Sequence, residues 1–352
     1  MVVSILSQME NSWINLAFDE ALASVGVSFP NPSVGAVLVK DGIVVGRGHT
    51  QVVGGPHAEV MALRDAGPLA KGADLWVTLE PCCHFGRTPP CTQAIVASGV
   101  SRVFYAHSDP NPVVCGRSGG ILKEAGIESS FVEPSSDFER FYEAYDYFVQ
   151  NKRTFVELKI AESADGFIAK EDRTSVRITQ KEANLWTAKW RRSAEMILVG
   201  GGTALADNPH LTVRGVNGNS PRKIVFAGSR ILPPSLNLFL EQTSPSAIVY
   251  SRVPQPQLEK IAEVHLFKTE TFEANWMQVL DELSAKGVHR LAVEPGLELS
   301  QKIMKSGLWN RLYVLHSKNK MGKGLSWHTE KDPNLQVLSE LGEDRLTSAL
   351  NK

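Results

Sequence analysis

A histidine that opens a helix and a cysteine that closes a strand can hold one metal ion only if the fold brings that helix start to that strand end. This chain carries both. His57-Ala58-Glu59 leads into AEVMALRDA at residues 58–66, a helix-forming composition stopped by Gly67-Pro68. Asp74 to Leu79 is an apolar run that reads as a buried strand, and it delivers Glu80-Pro81-Cys82 to the strand's end. Helix N-termini beside strand C-termini are the geometry of an open α/β sheet, whose active sites lie at the carboxyl edge. The backbone N–H groups of the first turn add positive potential there, which favours an ionised Glu59.

One imidazole, a glutamate two positions on and a Pro-Cys followed by a further cysteine form the set of groups a zinc-dependent hydrolytic deaminase needs. The glutamate is not a ligand; it moves a proton from water to the leaving amine. A closed structural site would need a fourth protein donor, and Cys83 and His84 are at hand. Residues adjacent to Cys82 chelate one tetrahedral ion poorly, so the fourth position is assigned to water. The four cysteines, Cys82, Cys83, Cys91 and Cys115, all fall in the first third. Clustering beside a histidine fits metal binding in a reducing cytoplasm better than a disulfide framework. Cys115 reads as a small buried residue.

Bulk properties narrow the class. At 352 residues the chain is long for one domain, and two are expected. A net charge of -1 without a long basic run argues against a nucleic-acid footprint. No stretch approaches a membrane-spanning apolar run, and Met1 to Asn11 lacks the charged start and long apolar core of a secretion signal. Trp13 to Val25 has helical apolar spacing. Val34–Lys40 and Ile43–Gly48 flank the hairpin signal Asp41-Gly42. Asp137 to Gln150 is an aromatic-rich helix, and the polar Asn151-Lys152-Arg153-Thr154 marks a boundary between domains 1-150 and 151-352. Beyond it, strand-like runs alternate with helical stretches, among them Gln257 to Ala262, predicting a mostly parallel sheet covered by helices. The last dozen residues are polar and read as loose.

Eight residues separate Cys82 from Cys91, where two is the usual deaminase spacing. That insertion, LEPCCHFGRTPPC, together with NPSVGAV, HAEV and SDPNP, resembles the deaminase half of the bifunctional bacterial riboflavin-biosynthesis deaminase–reductases. Cytidine and tRNA-adenosine deaminases resemble only the HAE and PC portions. The resemblance implies a three-layer cytidine-deaminase-like α/β domain with zinc on His57, Cys82 and Cys91, and Glu59 as proton shuttle. It implies a phosphoribosyl diaminopyrimidinone substrate, contacted by Asn31, His84, Arg87, Asp109 and Asn111. Beside proline, Asn31, Asp109 and Asn111 are equally the residues that form turns. The family's histidine after the position of His49 is Thr50 here, so either His49 substitutes through a shifted strand end or one substrate contact is lost.

The second half resembles the reductase domain of the same family, similar in fold to dihydrofolate reductase. MILVGGGT at 196–203 followed by ADNPHLTVR at 206–214 carries the match. The resemblance implies NADPH bound by Ala161, Arg177, Thr203, Asp207 and Gly296. It implies substrate contacts from Ser175, Arg191, Leu211, Arg214 and Glu294, with the two arginines clamping a sugar phosphate. Departures lie at Arg177 in place of tryptophan, at Ala227-Gly228 in place of Asp-Ser, and at Pro295, which removes a backbone donor. They leave open a degenerate second domain that serves only substrate binding or oligomerisation. The reading implies a cytoplasmic homo-oligomer acting on a small molecule.

Overall fold

In the computed structural model the described residues are 2–172, 174, 176–240, 247–328 and 333–351, with side chains described from Ser12 onward. They divide into two compact units, Met1–Lys152 and Arg153–Lys352.

The first unit runs α1 (Val2–Ser24), β1 (Gly35–Lys40), β2 (Ile43–His49), α2 (Ala58–Ala66), β3 (Asp74–Val77), α3 (Cys91–Ser98), β4 (Arg102–Tyr105), α4 (Ser118–Glu124), β5 (Glu128–Phe131) and α5 (Ser136–Asn151). Its sheet has the order β2-β1-β3-β4-β5. β1 is antiparallel to β2 and β3, and β3, β4 and β5 are parallel. The β1–β2 turn places Asp41 and Gly42 at φ 51° and 76°, a conformation the Asp-Gly pair tolerates. Phe18 of α1 packs on Phe138 and Phe141 of α5. Helix α2 lies on β2 and beside α3.

Two glycines decide how closely α2 approaches the sheet. A Cβ on Gly46 would overlap the Ala62 carbonyl, and one on Gly48 would overlap backbone atoms of Ala58 and Ala62. Small Ala58, Ala62 and Ala66 complete the contact and are buried. The helix start carrying His57 is thereby pressed against the end of the sheet.

The second unit continues with β6 (Phe155–Glu162), α6 (Lys181–Arg192), β7 (Met196–Gly200), α7 (Gly201–Asp207), β8 (Arg222–Gly228), α8 (Asn237–Leu240) and β9 (Ile248–Ser251). It ends with β10 (Glu263–Leu266), α9 (Phe272–Ala285), β11 (Arg290–Glu294), α10 (Leu297–Ser306), β12 (Arg311–His316), β13 (Gln336–Leu341) and β14 (Asp344–Leu350). The sheet order is β10-β9-β8-β7-β11-β6-β12-β14-β13. Strands from β10 to β12 are parallel, and β14 is antiparallel to β12 and β13.

Two expectations are corrected. Residues 257–262 form successive turns, not a helix: Pro254 and Pro256 withhold backbone donors, and the short stretch serves to bury Leu258. The polar tail is not loose. β14 lies inside the sheet with Leu346, Thr347, Ser348 and Ala349 buried. Its polar groups find partners in distant segments: Asp344 Oδ2 accepts from the Gln180 N–H at 2.6 Å, and Thr347 Oγ1 lies 2.8 Å from His316 Nε2, while Asp344 Oδ1 is buried without a hydrogen-bond partner among the described residues. Polar composition reads as exposure only when partners are absent, and here the fold supplies them.

Gly48→Ala should destabilise the chain by about 1–3 kcal/mol, the usual cost of overpacking, and lower its zinc content. A lowered urea midpoint with metal analysis of the purified protein checks this; a neutral effect on both would show that α2 is not held by this contact.

Candidate active sites

The loops of the first unit converge on one edge of its sheet. The start of β1 and the ends of β2, β3 and β4 lie together there, because Ala36 pairs with Val77, Gly35 pairs with His49, and β3 and β4 run parallel. A buried polar chain ties these loops down. The Gly35 N–H donates to Thr78 Oγ1 at 3.1 Å, Thr78 Oγ1 lies 2.6 Å from the Tyr142 hydroxyl, and that hydroxyl donates to the Ser33 carbonyl at 2.9 Å. Buried Glu80 takes hydrogen bonds from Ser118 Oγ at 2.7 Å and the Gly116 N–H at 3.1 Å, while its own N–H donates to the His107 carbonyl.

At this edge His57, Cys82 and Cys91 come together, their donor atoms all within 4.8 Å of one another. His57 Nδ1 is 3.6 Å from Cys82 Sγ and 3.3 Å from Cys91 Sγ. An ion bound at about 2.0–2.3 Å sets tetrahedral donors about 3.5 Å apart, so one nitrogen and two sulfurs at these separations fit zinc. Thr88 Oγ1 lies 3.3 Å from His57 Nε2, leaving Nδ1 as the ligating nitrogen. The hydrogen bond from the Cys91 thiol pulls the Cys82 pKa down to about 4 against the effect of burial, with help from His57 and the Cys91 N–H. The Cys91 thiol is pushed upward by its hydrogen bond to Cys82, by burial and by Glu59. Contact with Cys82 likewise raises the His57 pKa, over the opposing effect of burial.

Glu59 is 3% exposed, in the first turn of α2 and within hydrogen-bonding reach of Cys91. Burial and the neighbouring Cys82 charge raise its pKa to about 7, with His57 opposing. Such a group gives and takes a proton readily near neutrality.

The remaining sequence-derived residues fall at the same edge in different ways. His84 Nδ1 is buried and has no hydrogen-bond partner among the described residues. Arg87 is exposed and Asn31 half-buried. Asp109 is buried, accepting from the Asn111 N–H at 2.9 Å and the Tyr145 hydroxyl at 3.3 Å, and Asn111 Oδ1 caps the Val113 N–H. These two are therefore turn formers in this structure. His49 Nδ1 lies 3.4 Å from Glu20 of α1, so no shifted strand end brings His49 round in place of Thr50; Thr50 is buried, with its N–H on the Val34 carbonyl. Cys83 is half-buried, its thiol donating to the Val113 carbonyl, and Cys115 is exposed rather than buried. Thr88 and Glu80 were not singled out from sequence; their position between or beside the ligands was the available signal.

In the second unit the carboxyl ends of β7 and β11 are neighbours, but β7 leads to β8 on one side and β11 to β12 on the other. Such a divergence opens the crevice where open parallel sheets bind ligands. The floor fits a dinucleotide. Gly200-Gly201-Gly202 turns β7 into α7, Gly201 packs directly on the Ala227 backbone, and a Cβ on Gly296 would meet Thr203 Oγ1 at 2.6 Å. The replacement of Asp-Ser by Ala227-Gly228 thus coincides with close packing. Thr203 and Gly296 are brought together, Ala161 is half-buried on β6, and Asp207 and Arg177 are exposed. Ser175 lies outside the described residues.

Glu294, at the end of β11, accepts from Arg191 Nε at 2.6 Å and from Lys159 Nζ at 3.2 Å. Arg191 also donates to the Thr212 carbonyl at 3.2 Å. Burial alone would raise the Glu294 pKa, but the Lys159 and Arg191 charges reverse this and hold it to about 2. Lys159 was missed from sequence because one lysine in a strand carries no motif; it shares a face of β6 with Ala161. Arg214 is exposed, and Leu211 buries its side chain in the core while its backbone adopts φ 54°.

The Glu294 carboxylate contributes stability that is fully present above its ordinary range near pH 4.3 and is lost as pH falls through about 2. Glu294→Gln should therefore flatten the acid side of the unfolding curve between these values. Urea titrations across that window measure it, and an unchanged acid slope would contradict the ion triad.

Comparison with known proteins adds to the geometry. Residues 154–334 match the family described as RibD C-terminal domain, and residues 7–107 match the cytidine and deoxycytidylate deaminase zinc-binding region. The riboflavin biosynthesis protein RibD of Aquifex aeolicus is 37% identical over 91% of this chain and 90% of its own length. That of Bacillus amyloliquefaciens is 35% identical over 98% and 97%. Among solved structures, Acinetobacter baumannii RibD superposes with a TM-score of 0.76 at 27% identity, covering 98% of this chain and 99% of the other. A Thermotoga maritima diaminohydroxyphosphoribosylaminopyrimidine deaminase/5-amino-6-(5-phosphoribosylamino)uracil reductase does so with a TM-score of 0.77 at 29% identity, covering 97% and 98%.

Proposed function

The chain belongs to the RibD family of riboflavin biosynthesis proteins, and on that premise we propose which of its residues perform each step. The enzyme is bifunctional. It deaminates a phosphoribosylated diaminopyrimidinone hydrolytically, then reduces the ribose of the product to a ribityl chain with NADPH. The two reactions are assigned to residues 1-150 and 151-352 respectively. The observation that carries the first assignment is the meeting of His57, Cys82 and Cys91 beside buried Glu59.

In this reading His57, Cys82 and Cys91 hold zinc. When bound, zinc supplies a Lewis acid that makes water a competent nucleophile at neutral pH. Glu59 takes a proton at its carboxylate from the attacking water and returns it to the leaving amine. Oxygen is added to the ring carbon, the carbon–nitrogen bond breaks, and ammonia departs with the proton Glu59 held. Thr88 keeps the His57 ring oriented through Nε2. Asn31 and His84 face the pyrimidine, Arg87 takes the phosphate, and Asp109 and Asn111 shape the loop that closes the site.

In the second unit Ala161, Arg177, Thr203, Asp207 and Gly296 line the NADPH crevice, which fits the close Thr203–Gly296 contact. NADPH, when bound, supplies the hydride. Glu294, fixed by Lys159 and Arg191, positions the substrate, and Arg214 offers an exposed fork to its phosphate; Ser175 and the Leu211 backbone complete the wall. We assign the enzyme to the cytoplasm, where thiolate ligands stay reduced, and to a homo-oligomer, the common state of such enzymes. It acts on a small molecule rather than on nucleic acid or membrane, in keeping with its net charge of -1.

Given the phosphoribosyl diaminopyrimidinone, the enzyme should release the deaminated uracil without NADPH and the ribityl product with it, identified by mass spectrometry. A protein that deaminates but consumes no NADPH would remove the reductase. Glu59→Gln should keep its zinc while ammonia release falls by about 10²–10⁴-fold, the contribution of a lost general acid–base. Undiminished turnover would exclude Glu59 as the shuttle.

A further inference from the structure

We propose that Arg230 recognises the 2′-phosphate of the dinucleotide and so sets a preference for NADPH over NADH. The proposal rests on the reading of residues 153–352 as an NADPH-dependent reductase.

Arg230 follows β8, the strand next to β7 on the side away from β11. Its guanidinium lies over the glycine turn. Nη2 is 3.7 Å from the position a Cβ would take on Gly202, and Nη1 is 3.9 Å from the same position on Gly228. A Cβ at either position would sit in ordinary van der Waals contact with the guanidinium. The backbone beneath is pinned. The Arg230 N–H donates to the Ala227 carbonyl at 3.2 Å. Gln255, 1% exposed, donates to the Arg230 carbonyl at 2.7 Å and accepts from the Leu232 N–H at 3.0 Å. The Gly228 carbonyl accepts from the Arg252 N–H at 2.8 Å and from Ser251 Oγ at 3.3 Å. A fixed loop therefore presents one guanidinium at the carboxyl edge of the sheet.

The direction of the dinucleotide follows from the chemistry. Hydride must reach a substrate held near Glu294 and Arg191, so the nicotinamide lies towards β11 and β6. With its pyrophosphate at the Gly200–Thr203 turn, the adenosine half runs the other way, over β8. Its ribose then faces Arg230, whose planar fork suits two oxygens of a phosphate monoester. The Arg230 side chain is 41% exposed, and its contact with Glu298 Oε2 is long at 3.5 Å, with Glu298 itself 55% exposed. Such a surface pair is weak and readily exchanged. The neighbouring Arg252 is less available, since its Nη2 donates to the Glu270 carbonyl. Glu298 opposes the phosphate and would instead accept from the 2′-hydroxyl of NADH, so the sign of the preference depends on Arg230 prevailing.

The test is calorimetric titration of the intact, zinc-loaded chain with NADPH, NADH, 2′,5′-ADP and 5′-AMP. The wild type should bind NADPH more tightly than NADH, and 2′,5′-ADP more tightly than 5′-AMP. Arg230→Ala should weaken NADPH by about 10–100-fold, the range for a lost charged hydrogen bond, leave NADH within about twofold, and erase the advantage of 2′,5′-ADP. Arg230→Lys, which keeps the charge without the fork, should fall between, and Glu298→Gln should tighten NADPH. Deaminase turnover and the thermal midpoint report whether each variant is folded. Wild-type discrimination retained in both Arg230 variants, or a wild type that favours NADH, overturns the proposal while leaving the reductase in place. Failure of every dinucleotide to bind overturns the reductase reading together with it.

Discussion

Everything in the first unit depends on how closely one helix lies on one strand. Gly46 and Gly48 remove the side chains that would hold α2 away from β2, and Ala58 and Ala62 fill the contact. The helix start then reaches the edge where β3 ends. His57 caps the helix and Cys82 lies in the loop that follows the strand, so the distance between nitrogen and sulfur depends on that packing together with the hydrogen bonds of Thr78 and Glu80 that hold the loop. A protein interior packed to crystal-like density fixes such distances to fractions of an ångström, which loop-borne ligands alone would not.

The polar groups around the site do related work. Thr78, Tyr142 and Ser33 bridge the start of β1, the end of β3 and α5, and Glu80 binds the segment at 116–118 to the residues just before the metal ligands. Each is buried and each is partnered, so moving one loop would leave a donor or acceptor unpaired. Rigid edges of this kind allow an exposed insertion, Phe85 to Arg87, to project from the site without loosening the ligands that flank it.

The second unit uses charge where the first uses a metal. Glu294 sits between Lys159 and Arg191, and the two cations overcome the penalty of burying its carboxylate. The triad lies at the end of β11, next to the crevice opened by the divergence of β7 and β11. A glycine turn and a carboxylate clamped by two cations therefore occupy adjoining strand ends, where we propose that cofactor phosphates and substrate bind. That adjacency is what hydride transfer requires: positioning rather than a particular acid.

The sequence by itself determined most of the elements, and the donor set that fits zinc. α2 occupies the span its composition indicated, the Asp41-Gly42 turn forms as expected, and His57, Cys82 and Cys91, marked by local motifs, come together in one cluster. The insertion between Cys82 and Cys91 carried the family. What sequence could not supply were facts that depend on remote partners. Lys159 gains meaning only because β6 and β11 are adjacent, though 135 residues separate it from Glu294. Sequence left Asp109 and Asn111 open between turn and substrate contact, and the hydrogen bonds within their loop appear only in the fold, as does the burial of Thr50 against the Val34 carbonyl. The polar β14 was hidden for the same reason: its hydrogen bonds are to residues far along the chain. Periodicity and motifs report on neighbours in sequence, whereas burial of a polar group is decided by neighbours in space, which only the tertiary structure assigns.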